Sequence, residues 1–463
     1  MKIVMCASEV VPFAKTGGLA DVVGALPLAL EKAGHDVIII MPRYKAIKEG
    51  KSNTKKLRDG ISYSVIGKNI KVYFIENDLY FDRDGLYGDK SGDYPDNLDR
   101  FSFYCRSSLD LLKELNFKAD ILHCHDWQSC LIPVYLKFKY SGDIFYKGAK
   151  TVLTIHNIGY QGLFAKEEFP KLGLDWGLFN MEGLEFYGKI NLLKGGMIFS
   201  DVVNTVSPTY SKQIQAKEYG FGLEGVLSKR KSSVFGILNG LDYDIWNPQT
   251  DKFIPEKFSI KSLSGKYKNK KQLQKICGLP QKQDIPVIGM VSRLAEQKGF
   301  DILAEAIEKI CNMPLQLIIL GTGDQRYHLL LQDMAKKYPK IISLNLKFDD
   351  SLAHNIYAGS DIFLMPSRYE PCGLGQLISL RYGTIPVVYK TGGLADTINS
   401  DNGFVFDKYN KDELIAVIEK AVKAFSNKNK WASLVKKAMK CNFSWEQEAK
   451  KYIDLYVKTK AKK

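Results

Sequence analysis

A seven-residue segment that occurs twice constrains this chain more than any other feature. Residues 15–21 read Lys-Thr-Gly-Gly-Leu-Ala-Asp, and the same seven residues recur at 390–396, near the opposite end of the 463-residue chain. Each copy follows a β-branched run typical of a buried strand, residues 3–6 and 385–389. A glycine pair after a strand lets a ligand approach the backbone, and a following helix N-terminus favours an anion such as a diphosphate. The repeat predicts two similar α/β halves, each presenting one glycine loop; the alternative is that the glycines only close turns.

The length and composition indicate a globular protein of two domains. A chain of 463 residues exceeds one ordinary hydrophobic core, and 45% hydrophobic with 25% charged residues is a globular composition. No apolar run approaches the roughly 18 residues of a membrane span. Because the chain begins directly on a predicted strand, without a signal or transit peptide, we expect a cytoplasmic protein with no membrane partner.

The charge and the cysteines exclude two further classes of function. The net charge of +15 comes mostly from lysines spread along the chain without interleaved aromatic residues. This pattern indicates a solvated surface rather than a nucleic-acid partner. The eight cysteines lack pair spacing, so we expect reduced thiols. In His123-Cys124-His125, alternation along a strand would place the histidines on one face and the cysteine on the other, so we expect no metal site there.

Both halves of the chain alternate predicted strands and helices. A helix is expected at 21–33, stopped by Gly34 and kinked or restarted by Pro27, and residues 81–99 are expected to form a long surface loop. Another helix is expected at 300–310. The remaining predicted strands are 37–41, 71–75, 121–124, 150–155, 201–206, 286–291, 315–320 and 361–365. Uniform βα alternation predicts an α/β fold with two doubly wound parallel sheets.

The turn signal Asn239-Gly240 and the segment Trp246-Asn247-Pro248 suggest a domain boundary near residue 248. The predicted domains are therefore 1–248 and 249–442, followed by a final helix at 443–463. This helix is amphipathic, and we expect it to pack across the domain junction. Its apolar face carries Trp445, Ala449, Tyr452, Ile453 and Tyr456.

Polar residues that directly follow the predicted strands are the candidate site residues, because ligands of open α/β sheets bind beyond the carboxyl ends of the strands. In the second half, Arg293 and Lys298 share one loop, a pattern that suits a diphosphate, and Glu370 would hold sugar hydroxyls. The alternative for each is a turn, a helix cap or a surface salt bridge. Gly321-Thr322-Gly323 lacks the third glycine of a dinucleotide fingerprint, so it favours NAD only weakly. The first-half candidates are Lys15, Asp126, His156, Asn157 and Ser207.

Several motifs together resemble the bacterial glycogen synthases and plant starch synthases, in the same order along the whole chain. They are Lys15-Thr16-Gly17-Gly18-Leu19, His156-Asn157, Asn239-Gly240, Ser292-Arg293-Leu294 with Lys298-Gly299, and residues 366–377. The resemblance implies a GT-B architecture of two Rossmann-like domains facing a central cleft, with a C-terminal helix that crosses back to the first domain. It further implies retaining transfer of glucose from ADP-glucose to the non-reducing 4-OH of an α-1,4-glucan, which extends glycogen. No metal or other cofactor is implied, and UDP-glucose is the alternative donor.

The resemblance also implies roles for individual residues. Arg293 and Lys298 would hold the diphosphate with help from Lys15, Glu370 would contact the glucose, and the His156 carbonyl would support the cationic transition state. Cys372 would line the donor pocket, and Asp21, Tyr94, Asp126 and Trp127 would line the glucose and acceptor side. The other residues implied to bind substrate are Gly17, Gly18, Asn157, Asn239, Gly373, Leu374, Thr391 and Gly392.

Two positions depart from related sequences. Other GT-B transferases carry a second glutamate eight positions after the first, where this chain has Ile378, which favours the glycogen and starch synthase branch. Some glycogen synthases have threonine where this chain has Gly375.

Overall fold

The structure, a computed structural model, describes residues 1–50 and 53–462. The chain divides into two compact units, Met1–Gly240 with Trp445–Lys463 (unit 1) and Leu241–Ser444 (unit 2). No helix in the described part of the chain is long and apolar enough to cross a membrane.

Unit 1 is built on a nine-stranded sheet, order β14-β13-β9-β8-β1-β2-β5-β4-β3, in which only β4 and β3 run antiparallel to their neighbours. The strands of this unit are β1 (Lys2–Cys6), β2 (Asp36–Pro42), β3 (Lys55–Arg58), β4 (Ile61–Ile66), β5 (Ile70–Ile75), β6 (Gly88–Asp89), β7 (Gly92–Asp93), β8 (Ile121–His125), β9 (Lys150–Ile155), β10 (Leu163–Ala165), β11 (Glu185–Phe186), β12 (Lys189–Asn191), β13 (Val202–Thr205) and β14 (Val234–Gly236). Strands β10, β12 and β11 form a small antiparallel sheet, and β6 pairs with β7. The segment 81–99, expected to be a surface loop, therefore contains a short hairpin, and its strands of two residues are too short to show a period.

The helices of unit 1 cover the sheet. They are α1 (Gly18–Lys32), α2 (Lys45–Glu49), α3 (Asp78–Phe81), α4 (Asn97–Glu114), α5 (Leu131–Phe138), α6 (Leu192–Phe199), α7 (Pro208–Gln213) and α8 (Glu224–Lys229). Helix α1 continues through Pro27 rather than restarting there. An interior proline costs a helix about 3 kcal/mol, but α1 buries Val22, Val23, Leu26 and Leu30, each worth about 1.5–3 kcal/mol. Burial of this face outweighs the lost hydrogen bond.

Unit 2 is built on a six-stranded, fully parallel sheet. Its strands are β15 (Val287–Val291), β16 (Gln316–Leu320), β17 (Ile342–Asn345), β18 (Ile362–Met365), β19 (Ile385–Tyr389) and β20 (Phe404–Phe406), in the order β17-β16-β15-β18-β19-β20. Its helices are α9 (Ser264–Ile276), α10 (Phe300–Cys311), α11 (Gln325–Lys337), α12 (Asp350–Gly359), α13 (Gly375–Arg381), α14 (Gly392–Thr397), α15 (Lys411–Ser426) and α16 (Lys428–Lys440). Strand β16 is buried along its whole length, and β15, β18 and β19 are buried except at their last residue, as expected of a parallel sheet covered on both faces.

The last helix, α17 (Trp445–Ala461), returns the chain to unit 1, where it packs on α1 and β9. Four members of its predicted apolar face are buried, and Ile453 is half-buried. An added Cβ on Gly240 would lie 2.6 Å from the Trp445 ring, so the end of the first segment packs closely on the start of this helix.

The change from unit 1 to unit 2 comes after Gly240, before the predicted boundary at 248. The Leu241 N–H donates to the Phe443 carbonyl at 2.7 Å, and the Trp246 ring stacks on His354 with centroids 4.1 Å apart. Residues 241–248 therefore pack with unit 2, although their turn-rich sequence has the composition of a linker.

The order of strands reverses once in each unit. In unit 1 the chain runs from β1 through β2 to β5, and then from β8 outwards on the other side of β1. In unit 2 it runs from β15 to β17, and then from β18 to β20 on the other side of β15. Both units are doubly wound sheets, as predicted, but the unit 1 sheet is antiparallel at β4 and β3. Ligands of such sheets bind at the reversal, so the loops after β1, β8, β15 and β18 are the expected ligand-binding loops.

Candidate active site

In unit 2, the two loops at the strand reversal are joined by an ion pair. The Lys298 Nζ lies 2.6 Å from the Glu370 Oε2, and the Ser367 hydroxyl donates to the same oxygen at 3.1 Å. The two charged side chains are only 19% and 8% exposed. Arg293, on the same loop as Lys298, is exposed. A cation and a carboxylate are thus fixed at one edge of the sheet, with a second cation on the same loop.

Two hydrogen bonds hold these two loops together. The Arg368 N–H donates to the Gln297 carbonyl at 2.9 Å, and the Gln297 side-chain amide donates to the Tyr369 carbonyl at 3.3 Å. Gly299 has φ 81°, and an added Cβ there would lie 2.1 Å from the Pro366 carbonyl oxygen. Only glycine meets both requirements, so this residue sets how closely the Lys298 loop approaches the Glu370 loop.

The Gly321-Thr322-Gly323 segment has a packing role. An added Cβ on Gly321 would lie 1.8 Å from the Ser292 carbonyl oxygen, and one on Gly323 would lie 2.3 Å from the Leu294 carbonyl oxygen. The Leu294 N–H also donates to the Thr322 carbonyl at 3.0 Å. These glycines support the loop that carries Arg293, which explains the motif without a dinucleotide.

The second copy of the seven-residue repeat packs inside unit 2. Thr391, Gly392 and Gly393 are buried, and an added Cβ on Gly392, whose φ is 43°, would lie 1.9 Å from the Glu370 carbonyl oxygen. Lys390 pairs with Asp407 at 3.0 Å. Close packing against the Glu370 loop therefore accounts for the glycines of this copy, at the point where α14 begins, without a ligand.

This packing places Thr391 and Gly392 directly behind the Glu370 loop. The Gly393 N–H donates to the Glu370 carbonyl at 3.1 Å, and an added Cβ on Gly393 would lie 2.2 Å from the Cys372 carbonyl oxygen. Cys372 is buried, and Gly373, with φ 76°, and Leu374 lead into α13. The predicted donor-side residues from Glu370 to Leu374 thus lie in one loop backed by the second glycine copy.

The first copy has the opposite surroundings. Gly17 and Gly18 are exposed, and apart from the adjacent residues no atom in the described part of the chain lies within 4 Å of an added Cβ on either. Helix α1 begins at Gly18, and Lys15 forms an exposed ion pair with Asp21 at 2.7 Å. Internal packing does not explain the glycines of this copy, so the ligand-binding interpretation stays for this loop.

Glu9, which the sequence did not single out, is hydrogen-bonded to the first glycine loop. Its buried carboxylate accepts hydrogen bonds from the Thr16 hydroxyl (2.6 Å), the Gly17 N–H (3.1 Å) and the Tyr87 hydroxyl (2.7 Å). A single acidic residue in an irregular stretch gives no periodic signal. Its position between a predicted strand and the lysine of the repeat was the one available hint.

Asp126 and His156 meet at the same edge of the unit 1 sheet. Asp126 follows β8 with φ 53°, and its Oδ1 accepts the His156 N–H at 2.7 Å. Burial raises the pKa of the Asp126 carboxyl to about 7, and the negative charge of Glu9 adds to this rise, while hydrogen bonds from the backbone of His156 and Asn157 oppose it. A carboxyl with a pKa this far from its usual range is typical of a functional site.

A row of buried histidines lies behind His156. The His125 Nδ1 lies 3.0 Å from the His156 Nε2, and the His123 ring packs on the His125 ring with centroids 4.1 Å apart. Both ring nitrogens of His123 are already bonded, to the Tyr456 and Thr154 hydroxyls at 2.7 Å each. Burial lowers the pKa of His123 and of His156 to about 3 and that of His125 well below its usual value, so these rings are neutral at pH 7.

The hydrogen bonds favour one tautomer of His156. Among the residues that the structure describes, none bonds the buried His125 Nε2. An unpaired buried N–H is rarer than an unpaired acceptor, so His125 is expected to carry its proton on Nδ1 and to donate it to the His156 Nε2. The proton of His156 then lies on Nδ1, where it remains available to a ligand.

The remaining predicted residues of unit 1 all make contacts within the protein. The Trp127 ring is buried against Phe101, with centroids 4.9 Å apart. The Tyr94 hydroxyl accepts the Gly85 N–H at 3.2 Å, and the guanidinium groups of Arg83 and Arg100 lie 4.8 and 5.1 Å from its ring. Three others have local structural roles. The Asn157 side chain accepts the Gly159 N–H at 3.0 Å in a turn, Asn239 is buried, and Ser207 caps α7.

The two positions that depart from related sequences are both tightly packed. An added Cβ on Gly375 would lie 2.9 Å from the Phe363 ring and 3.1 Å from the Met365 sulfur. Ile378 is buried in the core of unit 2. A side chain at 375 therefore requires these neighbours to move.

Family comparisons cover both units. Residues 2–229 match the starch synthase catalytic domain, and residues 270–438 match the glycosyl transferases group 1. The glycogen synthase of Geotalea daltonii is 50% identical to this chain over the whole length of both proteins. That of Thermosipho melanesiensis is 47% identical, again over the whole length of both.

Solved structures agree with these relatives. The catalytic domain of starch synthase IV from Arabidopsis thaliana, bound to ADP and acarbose, matches with a TM-score of 0.91 and 34% identity over 99% of each chain. Sucrose-phosphate synthase from Thermosynechococcus elongatus matches with a TM-score of 0.61 and 15% identity, over 99% of this chain and 98% of that one, which shows the fold alone.

The two doubly wound units and the polar loops at their strand reversals define a GT-B glycosyltransferase. Within that class, the chain belongs to the family of bacterial glycogen synthases and plant starch synthases, as its motifs predicted.

Proposed function

We propose that this chain extends an α-1,4-glucan by transferring glucose from ADP-glucose to the non-reducing 4-OH, with retention of the anomeric configuration. The observation that carries the proposal is the Lys298–Glu370 pair at the strand reversal of unit 2, with Arg293 on the same loop. The solved starch synthase IV, 34% identical to this chain, was bound to ADP and acarbose, which supports a nucleotide donor and a glucan-like acceptor.

On the donor side, we assign unit 2 to supply positive charge to the diphosphate leaving group. As the bond between the anomeric carbon and the diphosphate oxygen breaks, negative charge grows on the diphosphate. Fixed cations stabilise that charge without reorganising, and removing one such group typically lowers kcat by about 10²–10³. We assign this role to Lys298 and Arg293, with Lys15 of unit 1 assisting, and we assign the glucose hydroxyls to Glu370. Because lysine and arginine supply the positive charge, we propose that transfer needs no metal.

On the acceptor side, unit 1 supplies His156 and Asp126. The new bond joins the anomeric carbon to the 4-oxygen of the glucan, whose proton leaves with the diphosphate. The sugar carries positive charge in between, and we assign the His156 carbonyl and the nearby Asp126 carboxylate to offset it. The neutral His156 adds an Nδ1–H donor without adding a repelling charge.

The test is glucose transfer by the full chain to glycogen and to maltohexaose, from ADP-glucose and from UDP-glucose, with and without EDTA. The expected result is transfer from ADP-glucose that EDTA does not reduce and an α-1,4 product by NMR. A preference for UDP-glucose would keep the fold and replace the donor. A product with the β configuration, or loss of activity in EDTA, would contradict the retaining or the metal-independent part of the proposal.

A further inference from the structure

Three exposed aromatic side chains lie on segments of unit 1 close to the proposed acceptor residues. Tyr160, Tyr187 and Phe221 are 57%, 83% and 46% exposed. Tyr160 follows β9, Tyr187 lies in the turn between β11 and β12, and Phe221 lies between α7 and α8. Single exposed apolar residues need no explanation, but exposed aromatic rings on segments that pack together mark a binding surface.

The three segments pack on one another. An added Cβ on Gly222 would lie 2.9 Å from the Phe186 ring and 3.5 Å from the Tyr187 ring, and one on Gly159 would lie 3.8 Å from the Phe221 ring. The Phe186 and Tyr187 rings meet edge to face with centroids 4.7 Å apart. Tyr160, Tyr187 and Phe221 therefore belong to one surface, here named the aromatic platform.

The backbone holds two of these rings in an uncommon conformation. Tyr187 has φ 49° and Phe221 has φ 51°, in the left-handed region that bulky residues rarely adopt. The side-chain amide of the buried Gln161 donates to the Phe221 carbonyl at 3.1 Å and fixes that segment. The rings thus stand outward on a pre-ordered support, which lowers the entropy lost when a ligand binds.

The aromatic platform continues the loop that carries the proposed acceptor residues. Tyr160 comes four residues after His156, and its N–H donates to the Asn157 carbonyl at 3.2 Å. An added Cβ on Gly162, in the same loop, would lie 2.6 Å from the Trp127 ring. The Tyr160 segment of the platform therefore lies in the same loop as His156 and packs on Trp127.

We propose that the aromatic platform binds glucose units of the α-1,4-glucan that lie beyond the unit receiving the new glucose. Pyranose rings have apolar C–H faces that stack on aromatic rings, and the tyrosine hydroxyls offer hydrogen bonds to sugar hydroxyls. The inference rests on the proposed function for the identity of the glucan. The aromatic platform would add to the affinity for glucans by an amount that grows with their chain length.

The test compares Tyr187→Ala, the double variant Tyr160→Ala/Tyr187→Ala and the conservative Tyr187→Phe with the wild type. Phe348→Ala is the matched control, because Phe348 is an 85% exposed aromatic residue of unit 2. Retardation in native gels containing glycogen measures binding without turnover. KM values for maltotriose, maltoheptaose and glycogen measure the dependence on chain length, and size-exclusion chromatography reports association.

We expect the glycogen affinity to fall roughly threefold in Tyr187→Ala and roughly tenfold in the double variant, with Tyr187→Phe and Phe348→Ala close to the wild type. The rise in KM is expected to grow from maltotriose to glycogen. Wild-type retardation in the double variant, or an equal KM rise for every length, would overturn the proposal. A change in the association state of Tyr187→Ala would also overturn the proposal, because it would show that a second copy of the chain binds to the aromatic platform.

The gel result separates the two proposals. If the wild type transfers glucose and the double variant binds glycogen as well as the wild type, only the platform fails. If the wild type transfers no glucose but the double variant still loses retardation, the platform stands and the proposed function fails.

Discussion

The Lys298 ammonium and the Glu370 carboxylate lie 2.6 Å apart and join the loops after β15 and β18. The pair connects a cation assigned to the diphosphate with a carboxylate assigned to the glucose. Because both groups are largely shielded from solvent, each depends on the other for its position and its charge balance.

This dependence predicts non-additive effects on catalysis. Lys298→Ala and Glu370→Ala are each expected to lower kcat/KM for ADP-glucose by about 10²–10³, since each removes one group of a preorganised pair. The loss of kcat/KM in the double variant should be much smaller than the product of the two single losses, because the second substitution removes a group that has already lost its partner. Initial rates of the four proteins on glycogen measure the coupling, and strictly multiplicative losses would show that the residues act independently.

The two copies of the repeat predict opposite responses to the same substitution. Gly392→Ala is expected to lower the free energy of unfolding of unit 2 by about 2–4 kcal/mol, because φ is 43° and the new Cβ would meet the Glu370 carbonyl oxygen at 1.9 Å. Gly17→Ala adds a Cβ that no atom of the described residues beyond its chain neighbours approaches within 4 Å, so the stability of this variant should stay within about 0.5 kcal/mol of the wild type.

The activity of Gly17→Ala then reports on the ligand-binding interpretation of the first loop. We expect kcat/KM to fall by roughly tenfold or more although the melting temperature is unchanged, because the methyl group occupies space that a ligand would use. Urea titrations and donor kinetics on the two variants measure both quantities. Full activity in Gly17→Ala would return the first copy to a simple turn.

The raised pKa of Asp126, about 7, predicts a pH dependence of activity. Below this pH the carboxyl takes up a proton, so its hydrogen bond with the His156 N–H loses the assistance of the negative charge. The wild-type kcat/KM should therefore fall between about pH 8 and 6, and Asp126→Asn, which cannot ionise there, should have a lower but flat profile. A step of unchanged position in Asp126→Asn would assign the ionisation to another group.

The buried His123 predicts a loss of stability in acid. Burial lowers its pKa to about 3 in the folded chain, below the 6.5 of a free histidine. The contribution of the neutral ring to the free energy of unfolding is therefore fully present above pH 6.5 and is lost as the pH falls towards 3. At pH 5 this loss is about 2 kcal/mol.

Native-state hydrogen exchange of the strand Ile121–His125 at pH 7 and pH 5 measures the effect, with His123→Gln and His328→Gln as the matched pair. His328 is a half-buried histidine of unit 2. The pH difference in opening free energy should shrink in His123→Gln and persist in His328→Gln. Equal differences in all three proteins would show that His123 is not the group that titrates.

Sequence reasoning located the buried parallel strands, because continuous apolar runs between turn residues are a local signal. It also singled out Lys298 and Glu370, which lie in the loops after two of these strands. It could not find Glu9, whose role comes from hydrogen bonds to Thr16 and to the distant Tyr87.

The seven-residue repeat shows that a local sequence does not determine the surroundings of a loop. Identical residues at 15–21 and 390–396 each lead into a helix, but the glycine pair is exposed in unit 1 and buried in unit 2. The difference comes from the chain packed around each copy, which seven residues do not encode. The small antiparallel sheet of β10, β12 and β11 was missed for a related reason, since strands of two or three residues are too short to show a period.

The most direct test of the central claim is the affinity for ADP, measured by titration calorimetry on the wild type, Lys298→Ala and Lys390→Ala. Lys390 is the matched control, because it follows a strand of the same sheet and pairs with Asp407 instead of Glu370. We predict that Lys298→Ala weakens ADP binding roughly tenfold or more, about 1.4 kcal/mol, and that Lys390→Ala stays within about twofold of the wild type. Unchanged ADP affinity in Lys298→Ala would contradict the assignment of the unit 2 loops to the diphosphate.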